Sequence, residues 1–141
     1  YKYISYKIND KAVSFDDNYS KVVYSGSWSK SSNSNHNGGS IKYTKTIGAK
    51  ATFTFTGTGI RIMAPTNNDR GIAKITIDGV VYSADMYSAT YKYKENVFEK
   101  LGLSKDKTHT ITIESMGIKS GASFGHMISL DSFEVVNGNI I

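Results

Sequence analysis

Cysteine is missing from this 141-residue chain, and proline and tryptophan each occur once. Without cysteine there are no disulfides and no thiolate metal sites, so the fold rests on packing alone. A domain near this size hides about 68–70% of the surface its unfolded chain would expose, enough to stand without covalent staples. No apolar run approaches the roughly 18 residues a spanning helix needs, which argues against membrane insertion. Tyr1 follows no charged-then-apolar leader, so the expectation is a soluble fragment with a larger parent polypeptide. Acidic residues are absent between Asp17 and Asp69, an interval that holds Lys21, Lys30, Lys42, Lys45, Lys50 and Arg61. Such a run reads either as a solvated lysine-rich surface or as attraction to an anionic polymer such as an acidic glycan or wall polysaccharide. Nucleic acid is excluded as a partner: the lysines are scattered singly, only Arg61 and Arg70 offer bidentate forks, and no RNP, KH or helix-turn-helix signature occurs.

Catalytic signatures are missing as well. There is no G-x-S-x-G elbow, H-E-x-x-H helix, P-loop or dinucleotide fingerprint. His36, His109 and His126 lie far apart, and His109 falls in phase with Ile111 and Ile113, as a residue packed at a sheet face would. The expectation is a protein that is not an enzyme.

What the chain does contain is strand patterning. In ATFTFTGTGIRIMAPTNNDRGIAKITIDG, Ala51 to Gly79, apolar residues alternate with polar ones through Ala51, Phe53 and Phe55, then Ile60, Ile62 and Ala64, then Ala73, Ile75 and Ile77. Each strand has one apolar and one polar face, as an antiparallel sheet packed on one side requires. Gly57-Thr58-Gly59 permits a tight reversal, Pro65 to Gly71 reads as a polar loop, and Asp78-Gly79 signals a type I′ hairpin. Further strands are expected near residues 21–25, 40–46, 80–85, 96–101, 108–114 and 127–136. No segment has helical periodicity. The Ser/Asn/Gly stretch from Ser29 to Ser40 reads as a long surface loop. Residues 1–12, tyrosine-rich at Tyr1, Tyr3 and Tyr6, form an N-terminal lead or an added edge strand, and residues 13–141 a single all-β antiparallel sandwich.

The succession VVYSGSW (Val22 to Trp28), ATFTFTGTGIRI, a polar loop, GIAKITIDG, NVFEKLGL (Asn96 to Leu103), KTHTITIE (Lys107 to Glu114) and SLDSFEV (Ser129 to Val135) resembles the galactose-binding-like jelly-roll domains. It is most similar to the carbohydrate-binding modules of bacterial glycoside hydrolases, adhesins and phage tail or receptor-binding proteins. The resemblance implies a non-catalytic module that docks a larger extracellular, cell-surface or virion protein onto a glycan. The alternative is a structural or protein-interaction sandwich with no sugar site, since fold alone does not fix function.

The resemblance also implies that ligand is held by loops at one end of the sandwich, here Gly26 to Gly39, Pro65 to Gly71, Met86 to Lys94 and Met116 to His126. Trp28 either caps the core or offers its flat face to a sugar ring. Asn67, Asn68, Asp69 and Arg70 carry donors and acceptors that sugar hydroxyls match, although Asn and Asp also serve turns. Tyr87, Tyr91 and Tyr93 are candidate aromatic platforms, while Lys119, Ser123 and His126 are the polar groups of the last loop. At Asp131 the apolar phase set by Ile128 and Leu130 gives way to that of Phe133 and Val135, so a bulge is expected there. In the related modules an aspartate in the last strand shares a structural calcium with acidic groups near the first, which implies Asp131 with Asp16 and Asp17 as ligands. No other cofactor is expected.

Overall fold

Period-two alternation becomes two facing sheets in the computed structural model of the chain, which describes residues 11–138. The tyrosine-rich lead, Tyr1 to Asp10, lies outside the described residues. Those described form twelve strands and a single 3₁₀ turn at Asn37–Gly39. One sheet has the order β1 (Ala12–Asp16), β12 (Ser132–Val136), β6 (Gly59–Thr66), β9 (Lys92–Leu101). The second runs β2 (Val23–Ser25), β5 (Lys50–Thr56), β10 (Thr108–Ile118), β7 (Ile72–Ile77), β8 (Val80–Asp85). A third, short sheet joins β11 (Ile128–Leu130), β4 (Ser40–Thr44) and β3 (Ser29–Ser32). All these strand pairings are antiparallel, and the protein is a β-sandwich.

The inward residues are those the alternation selects. Phe53, Phe55, Ile75, Ile77, Ile111 and Ile113 of the five-stranded sheet meet Ile60, Ile62, Phe133 and Val135 of the four-stranded one, all buried. Phe53 and Phe133 stack across the core at 4.9 Å with their planes 13° apart. Asp78 and Gly79 both have positive φ, 50° and 85°, so the β7–β8 connection is the type I′ turn expected. His109 is buried against Phe55, its two ring nitrogens engaged by the Asp78 carboxylate and the Ser104 carbonyl.

Three departures from the sequence reading bear on the site. Ser29–Ser32 is not loop but β3, paired with β4 from Ser29↔Tyr43 to Ser32↔Ser40. Its residues SKSS carry no apolar alternation, and three of the four are exposed. β9 starts at Lys92 and β10 runs to Ile118, so each takes residues from an expected loop. The last strand is two: at Asp131 the chain leaves the β11–β4 pairing and enters the β12 pairing. There the Asp131 N–H donates to the Met63 carbonyl at 2.9 Å and its own carbonyl accepts from Asp17 N–H, also at 2.9 Å. Among the described residues no helix is long and apolar enough to cross a membrane.

Candidate functional site

Pro65 precedes the turn that lines the site. It lies where the β6–β9 register shifts between Ala64 and Thr66, as suits a residue with no N–H to give the ladder. Beyond it Asn67 to Arg70 turn across the end of the sandwich. This turn is tied by bridges between Asn67 and Tyr87 and between Arg70 and Met127. The buried Ser123 hydroxyl lies within bonding reach of the Asn68, Arg70 and Gly125 carbonyls at 3.1, 2.7 and 2.9 Å, and Phe124 N–H donates to the Asn68 carbonyl at 2.8 Å. Three connecting segments are thus locked to one another by backbone geometry.

Between them and the short sheet is an open cleft of about 260 Å³, lined by Ser31, Ile41 and Tyr43 of β3 and β4, Asn67, Asp69 and Arg70, and Tyr91 and Met127. Arg70 is buried; its Nε donates to Ser129 Oγ at 3.3 Å and its Nη1 to Asp69 Oδ1 at 2.5 Å. The guanidinium lies 5.6 Å from the Tyr91 ring centroid, a cation–π distance. Tyr91 and Tyr93 sit 4.7 Å apart and are 39% and 38% exposed. Burial raises the Tyr91 phenol above its ordinary pKa against the opposing pull of Arg70. His36 is buried beside Tyr93 at 5.2 Å, and burial, then the charges of Arg70 and Lys94, lower its pKa. The result is a site with fixed polar groups and tyrosine surface left open to solvent.

Beneath the His36 turn, Asp16, Asp17 and Asp131 bring one carboxylate oxygen each within 4.8 Å of the others. Asp17 and Asp131 are wholly buried, and Asp131 Oδ1 has no hydrogen-bond partner. Their other contacts include the Asn37 N–H, which donates to Asp131 Oδ2 at 3.0 Å, Asn37 Nδ2, which donates to Asp16 Oδ1 at 3.2 Å, the Ser40 hydroxyl, which lies 3.4 and 3.5 Å from the Asp17 oxygens, and Lys42, 3.8 Å from Asp17. Burial first, and the neighbouring Asp16 charge, push Asp17 up to about 7 and Asp131 up to about 6. Gly38, at φ +64°, passes so close to Asp16 that a Cβ would overlap its carboxylate. A buried carboxylate oxygen without a partner, among three clustered acids, fits a hard cation that prefers oxygen ligands.

Of the sequence candidates, Asn67, Asp69, Arg70 and Tyr91 come together at the cleft, and Asp16, Asp17 and Asp131 come together beneath it. Trp28 does not line the cleft: its indole N–H is shared by the carbonyls of Ser25 and Lys50, both at 3.1 Å, and its ring packs edge-on to Tyr24 at 5.2 Å. Asn68, Tyr87, Lys119 and His126 also fall outside the lining. The Asn68 backbone braces the Ser123 loop, Tyr87 is half-buried at the bridge to Asn67, Lys119 is exposed, and His126 is half-buried with Nδ1 unpartnered. Sequence reasoning missed Ser31, Ile41, Tyr43 and Met127. Ile41 and Tyr43 were legible as same-face residues of β4, but nothing in SKSS marks Ser31 as a wall.

No protein-family model matches the chain. It is 35% identical over 101 residues to an A type blood N-acetyl-alpha-D-galactosamine deacetylase of Flavonifractor plautii, covering 72% of this chain and 13% of that protein. It is 29% identical, again over 101 residues, to an A type blood alpha-D-galactosamine galactosaminidase of the same organism, covering 72% of this chain and 9% of that one. Among solved structures it superposes with a two-domain esterase active on acetylated mannans, co-crystallized with mannopentaose, at a TM-score of 0.64 and 14% identity, over 93% of this chain and 38% of that one. The expectation that the protein is not an enzyme is therefore corrected: both curated relatives are named as enzymes, and the comparisons point to one. The chain spans only 13% and 9% of the length of those relatives. The relatives are carbohydrate-processing proteins, and the function indicated is carbohydrate-related.

Proposed function

We propose that this sandwich is the glycan-binding module of a carbohydrate-active enzyme, a galactose-binding-like jelly roll acting outside the cell. The observation that carries the reading is the meeting of Asn67, Asp69, Arg70 and half-exposed Tyr91 around one open cleft. A pyranose offers an apolar C–H face and a ring of hydroxyls that both donate and accept. Tyr91 suits the face, while the Asp69 carboxylate, the Arg70 guanidinium and the Asn67 amide suit the hydroxyls. Because the Asp69–Arg70 pair and the tyrosines are held before ligand arrives, little ordering entropy is lost on binding. At about 260 Å³ the cleft is smaller than the roughly 300–1,000 Å³ typical of drug-sized ligands and suits one sugar ring. N-acetylgalactosamine, a sugar in the name of one relative, is the first ligand to try.

The reading includes a structural calcium held by Asp16, Asp17 and Asp131, whose charge would offset the buried carboxylates and fix the Asn37–Gly39 turn beside the cleft. The cation is given no part in sugar chemistry. A glycan array followed by calorimetry on the best-retained sugar tests the binding reading. Tyr91→Ala is expected to weaken binding by about tenfold or more, the loss typical of a central aromatic contact, with an unchanged melting temperature. Retention of no glycan, or affinity indifferent to Tyr91, would end it.

A further inference from the structure

Phe124 is 82% exposed, the most open of the large apolar side chains among the described residues. Exposed phenylalanine is common on mobile loops, but this loop is braced. Its neighbour Ser123 is buried with its hydroxyl among the Asn68, Arg70 and Gly125 carbonyls, and the Phe124 N–H is bonded to Asn68. On the other side, Gly125 lies so near the Asp69 backbone that a Cβ would come within 3.0 Å of its carbonyl oxygen. The ring is therefore carried on backbone fixed to residues 68–70, the turn whose Asn67, Asp69 and Arg70 line the cleft. The fold holds an apolar ring in water on a loop bonded to the turn that lines a cleft with room for about one sugar.

We propose that Phe124 is a second stacking platform, and that the ligand of this module is a glycan chain of at least two residues, one in the cleft and the next against Phe124. The proposal rests on the reading of the cleft as a sugar site. An aromatic ring presented to solvent at a fixed position takes the C–H face of a pyranose at little conformational cost, while the sugar's hydroxyls stay in water. Recognition of a chain rather than a free sugar would direct an enzyme to polymeric or surface-attached glycan.

The test is calorimetry on the full 141-residue chain with two probes, N-acetylgalactosamine and a trisaccharide that ends in it. The wild type is expected to bind the trisaccharide more tightly. Phe124→Ala should weaken trisaccharide binding by about fivefold to tenfold, within the range for aromatic contacts, leave the monosaccharide within about twofold, and not move the melting temperature. Phe124→Trp should restore the trisaccharide. Equal affinities of Phe124→Ala and wild type for the trisaccharide, while Tyr91→Ala loses both probes, would overturn the platform and leave the cleft standing. Binding of neither probe by the wild type would overturn the cleft reading and this inference together.

Discussion

Stripping the protein of metal and then acidifying it gives a response that a simple surface carboxylate cluster would not. With three carboxylates within 4.8 Å, each like-charged pair repels by about 3–4 kcal/mol at an effective dielectric constant near 20. Burial first, and this repulsion from the neighbouring Asp16 charge after it, favour the protonated carboxyls and push Asp17 up to about 7 and Asp131 up to about 6. Groups that bind protons more tightly folded than unfolded stabilise at low pH. Their contribution is full below the ordinary carboxylate value near 4 and is lost as pH rises through 6 and 7. The combined effect is a few kcal/mol, so the metal-free melting temperature is expected to rise by roughly 10–15 °C from pH 8 to pH 5. Calcium should reverse the order. At pH 8, an excess of about 100 times the dissociation constant adds about 2.7 kcal/mol, an upward shift of about 10 °C. At pH 5, protons compete and the gain should shrink. Asp131→Asn should take only its own, smaller share out of the metal-free pH profile, Asp17 keeping the rest, and should remove the response to calcium. Scanning calorimetry after chelation, with and without calcium at both pH values, decides it. A calcium-insensitive melt at pH 8 together with a flat metal-free profile would refute both the site and the burial argument behind it.

Trp28→Phe is expected to cost about 0.5–1.5 kcal/mol of stability, the net worth of a hydrogen bond whose acceptors water can reach, with glycan affinity unchanged, as denaturant melts and calorimetry would report. Phe53→Ala removes the ring that stacks on Phe133 and should cost about 3–5 kcal/mol, readable as a lower urea midpoint. If the lysines of the acid-free interval aid capture, retention on an acidic glycan resin should fall as salt approaches 1 M, where the screening length is about 3 Å. Retention independent of salt would leave those lysines a solubility feature.

The β-sandwich was legible because its core strands are half-buried, and half-burial writes itself as alternation: Phe53 and Phe55, Ile60 and Ile62, Ile75 and Ile77 all point inward. The Asp131 break was legible for the same reason, since a strand leaving one sheet for another must change phase. β3 was not, because a polar edge strand paired through its backbone leaves no side-chain period. At the cleft, Asn67 to Arg70 stood out as a polar cluster in one loop. Trp28 stood out equally, yet its N–H and ring are spent on Ser25, Lys50 and Tyr24, and composition does not tell a ring that caps a core from one that faces a ligand. Phe124 was not singled out, because nothing in Ser123-Phe124-Gly125 tells an exposed ring from a buried one.

Chemical-shift mapping of the ¹⁵N-labelled protein with N-acetylgalactosamine tests the central claim most directly, because it locates the sugar without assuming an affinity. The account expects saturable shifts centred on Asn67, Asp69, Arg70 and Tyr91 and on Ser31 and Tyr43 across the cleft, with the Trp28 indole signal unmoved. Shifts centred on Trp28 or on the β7–β8 hairpin, with the cleft silent, would contradict it.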